Sequence, residues 1–384
     1  MADGSTVGPV NTMRVLRGVP VVIVLVLAFA LGGSASARSE IASPAAEHWD
    51  GTSWASVAVP ANVASLNAVV APAANDVWAF GISSVAEHWN GTSWRGVKLA
   101  IPKDSAAPEF YGAAAASPDD VWVVGDVSPR HAPSHGIIEH WNGRRWQLVP
   151  GPPTRSELSG ITAFSADDAW AVGQASVSTS KGFERLALTL HWNGKRWKQV
   201  PTPDPAAPAT PALSVDNSLA SVAGSSPRDV WAVGHYYLRT NSIRGSRALV
   251  LHWNGSRWTL VPSPAFVAAH VSHLSGVSAP SANGVWAVGS VNRHNAQHAL
   301  AERWNGTRWN FVHAPGAGLA GVSALAADDV WAAGNPDGSG DVMHWNGSAW
   351  SLATKLDRKH GLAAVAEISP TDVWAVGGRY QYSR

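Results

Sequence analysis

The sequence predicts an all-β fold: a seven-bladed β-propeller of four-stranded antiparallel blades, closed by a composite blade that joins the two ends of the chain. Three observations predict it. One motif, His-Trp-Asn-Gly-x-x-Trp, begins at His48 (with Asp50 for Asn), His88, His140, His191, His252, Arg303 and His344. A second, Asp-Val-Trp-Ala-Val-Gly, begins at Asp76, Asp120, Asp168, Asp229, Gly284, Asp329 and Asp372. Seven copies of each account for all 21 tryptophans, and successive copies lie 40 to 61 residues apart, the period of propeller blades.

Each repeat reads as four strands. The first is Leu-x-x-Val-x-Ala, as from Leu274 or Leu319; its small residues suit an innermost strand crowded at an axis. A Ser-Pro-x-Asp turn follows at Ser117 and Ser369, with proline where a type I turn wants it. The second strand is Val-Trp-Ala-Val, closed by glycine. The third ends in His-Trp. Asn-Gly then reads as a two-residue type I′ turn, which pairs Trp49 with Thr52 and Glu47 with Trp54. Alternation places both tryptophans on one sheet face and His48 on the other. The fourth strand carries the last tryptophan and ends near Val149 or Val261. Blades are expected at residues 62–101, 108–150, 155–201, 215–262, 271–313 and 317–353, with a composite of 360–384 plus 41–60, all in one domain of residues 41–384. The chain enters on strands three and four and leaves on strands one and two, so pairing its ends leaves no open edge.

Residues 1–37 read differently. Arg14 and Arg17 precede 13 apolar or small residues (19–31), and Ala35-Ser36-Ala37 follows. This is the pattern of a secretory signal peptide, with Met13 an alternative start and cleavage expected after Ala37. The run is shorter than the roughly 20 residues of a membrane span. The expected mature protein is therefore secreted and monomeric, with no membrane contact. Net charge is +1 and charged residues make up 14%, which gives no electrostatic basis for a nucleic-acid partner. The chain has no cysteine, which excludes disulfides, thiolate metal sites and cysteine nucleophiles.

The repeats resemble Kelch and galactose-oxidase propellers, in which a glycine-ended strand precedes an aromatic-bearing strand, a turn and a tryptophan. Kelch blades end strand two with two glycines, and only Gly377-Gly378 does so here. Bacterial propeller lectins are similar too. Sialidase Asp boxes differ, because Asn and Gly are adjacent in this turn. The resemblance implies architecture and leaves the chemistry to the site. The copper cofactor of galactose oxidase needs a cysteine, so no cofactor is expected.

One histidine per blade predicts packing, with no metal site, since ligands must share an ion at about 2 Å. The repeated tryptophans predict packing between blades. Glu47, Glu87, Glu139 and Glu302 read as partly exposed strand positions, and Glu367, the only charge in any first strand, as a solvated rim carboxylate or, alternatively, a group in the axial channel. Function is expected on variable loops at one end of the ring, the channel mouth. The residues after the strand-two glycine include Asp126, Gln174, His235 and Asn335. Those before strand one include Glu157, His273 and, in the second blade, Phe110. Tyr111, Tyr236, Tyr237 and Phe183 add aromatics, and Arg239, Arg244 and Arg247 a basic loop. No nucleophile elbow, phosphate loop or zinc signature occurs. The expected function is therefore recognition of an extracellular ligand, a carbohydrate or cell-wall polymer, through the variable loop face, more than catalysis. One alternative is a secreted hydrolase or lyase using Asp126, Glu157, His235 and His273 as acid and base. The other is a protein-interaction scaffold.

Overall fold

The computed structural model describes residues 41–384 except 61–62, 131, 152–154, 180–181, 204, 206–213, 240–243, 265–270, 294–295, 335–339, 356–359 and 382–384. The segment expected to be a signal peptide lies outside the described residues. The unit Glu40–Arg384 is compact. Among the described residues every regular element is a strand.

The strands form four-stranded antiparallel meanders. The chain starts with β1 (Ile41–Trp49) and β2 (Trp54–Val57). Sheet A holds β3 (Leu66–Ala73), β4 (Asp76–Gly81), β5 (Val85–Trp89) and β6 (Trp94–Lys98). Sheet B holds β7 (Glu109–Ser117), β8 (Asp120–Val127), β9 (His135–Trp141) and β10 (Trp146–Leu148). Sheet C holds β11 (Ser156–Ser165), β12 (Asp168–Thr179), β13 (Gly182–Trp192) and β14 (Trp197–Gln199). Sheet D holds β15 (Ser214–Ser226), β16 (Asp229–Arg239), β17 (Arg244–Trp253) and β18 (Trp258–Leu260). Sheet E holds β19 (Val271–Ser278), β20 (Val285–Arg293), β21 (Ala296–Trp304) and β22 (Trp309–Val312). Sheet F holds β23 (Gly321–Ala326), β24 (Asp329–Gly334), β25 (Asp341–Trp345) and β26 (Trp350–Lys355). Sheet G is composite. The last strands, β27 (His360–Ser369) and β28 (Asp372–Gln381), pair with the first in the order β2-β1-β28-β27. Single parallel bridges, Arg185↔Asp216 and Ser246↔Val271, fuse C, D and E into one twelve-stranded sheet. The innermost strands β3, β7, β11, β15, β19, β23 and β27 pack side by side in chain order, and β27 also packs against β3.

Tryptophan fills the seams. The strand-two Trp78 of sheet A lies 5.0 Å from Trp141 and 5.2 Å from Trp146 of sheet B. The same trio recurs at every later seam. Trp331 of F meets Trp49 and Trp54 of G at 5.7 and 5.5 Å, and Trp374 of G meets Trp89 and Trp94 of A, both at 5.1 Å. All the strand-two tryptophans but Trp331, which is 3% exposed, are among the largest fully buried side chains. Each burial is worth roughly 3–5 kcal/mol by truncation to alanine. On the other face of strand three, the histidine stacks on its own sheet's strand-two tryptophan. His88 lies 4.1 Å from Trp78, and its Nε2 is 2.6 Å from Asp76 Oδ1. Sheet E has Gly284 where the others have that aspartate. There Arg303 replaces the histidine, its guanidinium 5.6 Å from the Trp286 ring.

The turn after His-Trp corrects the expected register. Trp49 pairs with Trp54, His48 with Ala55 and Glu47 with Ser56, so four residues lie between the strands instead of two. A type I′ turn needs positive φ at Asn and Gly alike, whereas here Gly91 has φ 93° and Asn90 is not positive. The asparagine side chain supplies the difference: Asn90 Oδ1 accepts the N–H groups of Thr92 and Ser93, both at 3.0 Å. That Asx-turn bonding removes the need for a second left-handed residue.

The strand-two glycine also has a steric cause. Strand one bulges beside it, as at Leu66/Ala68 and Leu219/Ser221, and drives a carbonyl toward strand two. A Cβ on Gly81 would lie 1.8 Å from Ser65 O, and one on Gly234 2.0 Å from Ser218 O. The expectation for the third-strand glutamates is corrected by burial. Glu87, Glu139 and Glu302 are 0% exposed and Glu47 2%, because that face of strand three meets the preceding sheet. Glu139 Oε2 accepts Ala100 N from the link leaving sheet A, and Glu302 Oε1 accepts Ser263 Oγ from the link leaving D. Glu367 is not a solvated rim carboxylate either. It is 8% exposed and accepts Leu325 N of sheet F at 3.1 Å.

Candidate functional site

The strand-one bulges and strand-two glycines mark one end of the sheets, the mouth. Just beyond each glycine, one residue of strand one faces one of strand two: Glu109↔Asp126 in B, Glu157↔Gln174 in C, Ser218↔His235 in D, His273↔Ser290 in E and Gly361↔Gly378 in G. This rung holds Asp126, Gln174, His235, Glu157 and His273 of the sequence expectation. Asn335 lies outside the described residues. One correction applies to them all. Asp126, Gln174 and His235 sit inside β8, β12 and β16, Glu157 and His273 inside β11 and β19, Tyr111 inside β7, and Tyr236 and Tyr237 inside β16. What reads as loop between Gln174 and Ala187, or His235 and Ala248, is a continued antiparallel ladder. The side chains of Phe183, Arg239 and Arg244 lie outside the described residues.

Sheet B gathers acids around a phenol. Tyr111, 36% exposed, has its phenol beside Asp126 and Glu109. Burial, then Asp126 and Glu109, push the phenol upward. Asp126 is itself raised to about 6, by burial first, with Glu157 and Glu109 adding to the rise and Tyr111 and His135 opposing it. Gln174 Nε2 donates to Glu157 Oε2, and Asn67 Nδ2 of sheet A donates to Glu109 Oε1 at 3.4 Å. Ile82 of sheet A bridges to Glu109 and is 40% exposed. Clustered carboxylates with an aromatic and an aliphatic neighbour suit a cation on an apolar stem.

Sheets D and E carry a different chemistry. The rings of His235 and His273 meet edge to face with centroids 4.6 Å apart. Burial lowers both: His235 with help from Arg185, and His273, to about 4, with help from His235. Two neutral imidazoles remain at ordinary pH. Between the acids and the imidazoles, Arg185 Nη1 donates to Asp216 Oδ2 at 3.1 Å. The two histidines expected to act with Asp126 and Glu157 thus meet each other, while Glu157 takes the Gln174 amide. Among the described residues no group of three or more metal-ligating side chains occurs.

Glu109, Arg185, Asp216, His135 and Asn67 escaped the sequence reading. The signal for Glu109 was present: Phe110 is buried at 0% exposure like Leu66, Leu158 and Leu219. It therefore takes the strand-one leucine position, which moves Glu109 onto the rung.

No family model matches this chain, and no curated protein matches it. Solved structures do. The structure described as YCF48 bound to D1 peptide is 14% identical, with a TM-score of 0.51 over 85% of this chain and 96% of that one. YCF48 from Cyanidioschyzon merolae is 17% identical, with a TM-score of 0.53 over 84% and 95%. These neighbours are β-propellers, and with its all-strand sheets this chain has the β-propeller fold.

Proposed function

We propose that this protein is a recognition module, a closed seven-bladed propeller of Kelch-like repeats that binds an extended polypeptide segment bearing a basic group across its mouth. Sheets A to G are the blades, and the pairing of β1 with β28 supports closure. The observation that carries the reading is the uneven mouth. Sheets C, D and E are fused there into one wall by Arg185↔Asp216 and Ser246↔Val271. Sheet A is low there, its β3–β4 ladder ending at the Leu66↔Gly81 pair. A segment entering over the low side lies against the wall, with its cation among Glu109, Asp126 and Glu157. Preformed strands hold these groups, so little order is lost on binding. One propeller of similar fold was solved with a peptide bound. The pattern of residues 1–37 supports an extracellular setting for the protein.

A carbohydrate partner is the second reading, favoured by an exposed Tyr111 ring at a mouth end that also carries the polar side chains of Gln174 and His235. One experiment separates them. Purified protein is screened against a lysine- and arginine-containing peptide array and a glycan array, with Asp126→Asn and Glu109→Gln alongside. Peptide binding that weakens in both variants supports the proposal. Glycan binding alone replaces it with the second reading, and binding to neither overturns both.

A further inference from the structure

Sheet G differs from the rest in connectivity: no turn joins β1 to β28, and noncovalent contacts alone, the strand pairing and the His48–Asp372 bond among them, hold the two together. It differs also in what lies at its two seams. On the A side is Glu87. It shares a face with Trp89, which packs on Trp374 of G. It is 0% exposed, and neither carboxyl oxygen has a hydrogen-bond partner. The reason is legible in the link. Glu139 receives the N–H of Ala100, six residues past Trp94; six residues past Trp54 stands Pro60, which has no N–H to give. On the F side is Glu367, whose Oε2 takes Leu325 N while its Oε1 is buried without a partner.

An ionised carboxylate without donors is costly to bury, and a protonated one much less so. We propose that sheet G is a proton-dependent latch: with Glu87 and Glu367 protonated both seams are shut, and on their ionisation β1 and β2 loosen while the other sheets stay folded. This goes beyond the binding reading and does not depend on it. The surroundings set the range. Burial alone raises Glu87 to about 7, with no charged group acting on it. Burial and then Asp329 raise Glu367 to about 8, opposed by the Leu325 N–H. Asp329 is held in turn by His344 Nε2 at 2.7 Å. Glu47, the other buried acid of G, accepts Ser56 Oγ at 2.7 Å. Glu139 and Glu302 are also raised to about 7 by burial, but each has a donor, and their strands are tied into their sheets by short turns. Their sheets cannot shed a strand pair without breaking a continuous meander.

Hydrogen exchange on the full chain, corrected for the intrinsic pH dependence of amide exchange, tests this. Protection at residues 45–49 is expected to fall at least about tenfold between roughly pH 6 and pH 9, one pKa unit being a tenfold effect. Protection at residues 230–233 of β16 should hold. Glu87→Gln and Glu367→Gln should each remove part of the fall and together abolish it, whereas Glu139→Gln leaves it. If residues 45–49 and 137–141 lose protection in step, or if the Gln variants keep the full fall, the latch is overturned.

Discussion

Along a single strand pair such as β16 and β17, two regions follow opposite rules. At the seam, Trp231 meets Trp304 and Trp309 at 4.9 and 5.3 Å, an arrangement every sheet repeats. A few residues on, past Gly234, the rung is Ser218 and His235 in D, Glu157 and Gln174 in C, Glu109 and Asp126 in B, and no two match. The bulge and its glycine stand between the two regions. The difference teaches that stability resides in interchangeable positions and recognition in unrepeated ones, with a steric marker separating them.

The strongest way to break that comparison is to remove seam residues from a sheet that carries little at the mouth. Deleting residues 41–60 takes Trp49 and Trp54 from the F–G seam and the partner strand from β28. Two tryptophan losses of roughly 3–5 kcal/mol each rival a total stability of about 5–15 kcal/mol. The expected outcome is loss of a cooperative thermal transition. Next, Trp231→Ala should cost roughly 3–5 kcal/mol in denaturant titrations. Glu157→Gln, exposed on the rung, should cost under about 0.5 kcal/mol while altering ligand binding.

Acidity sharpens the same contrast, because the two regions titrate in opposite senses. The seam and inner-strand acids Glu87, Glu139 and Glu302 are raised to about 7 and Glu367 to about 8. The folded state therefore holds protons that the unfolded state releases above roughly pH 4.5. Their stabilising contribution is full below that and is lost as pH rises through 7 to 8. His235 and His273 are lowered, so their contribution is full above about 6.5 and is lost as pH falls below it, for His273 through about 4. Below 6.5 the two sets oppose each other; above it only the carboxyls act. The melting temperature should fall by several degrees between about pH 6.5 and pH 8.5, and less in Glu139→Gln. Smaller again is the difference among seams. His88→Ala loses a stacked ring and the bond to Asp76, about 1–2 kcal/mol. Arg303→Ala, with no such aspartate, should cost under about 1 kcal/mol.

The propeller was legible because turn chemistry and tryptophan spacing repeat, and repetition multiplies a weak strand signal. The hairpin register was missed because Asn-Gly suggests a backbone solution, whereas the Asn90 side chain caps the turn itself. Burial of Glu87 and Glu139 was missed because a charged residue reads as exposed, and only the packed seam shows the burial that raises both carboxyls. The site was half legible. Positions after the strand-two glycine could be counted out, so the place of Asp126, Gln174 and His235 at the mouth end of the sheets was readable. Arg185 and Asp216 could not, since a parallel bridge between β13 and β15 has no local pattern.

The tryptophan trio has a further consequence for how such a chain can be lengthened, shortened or rebuilt. Each sheet offers one indole forward and two backward, so every unit carries both halves of the same joint. Any unit therefore fits behind any other, as identical links fit in a chain. A duplicated or transplanted unit arrives with its joints ready made and brings its own rung to the mouth. Only the composite sheet is exempt from exchange, because its two halves must remain at opposite ends of the polypeptide.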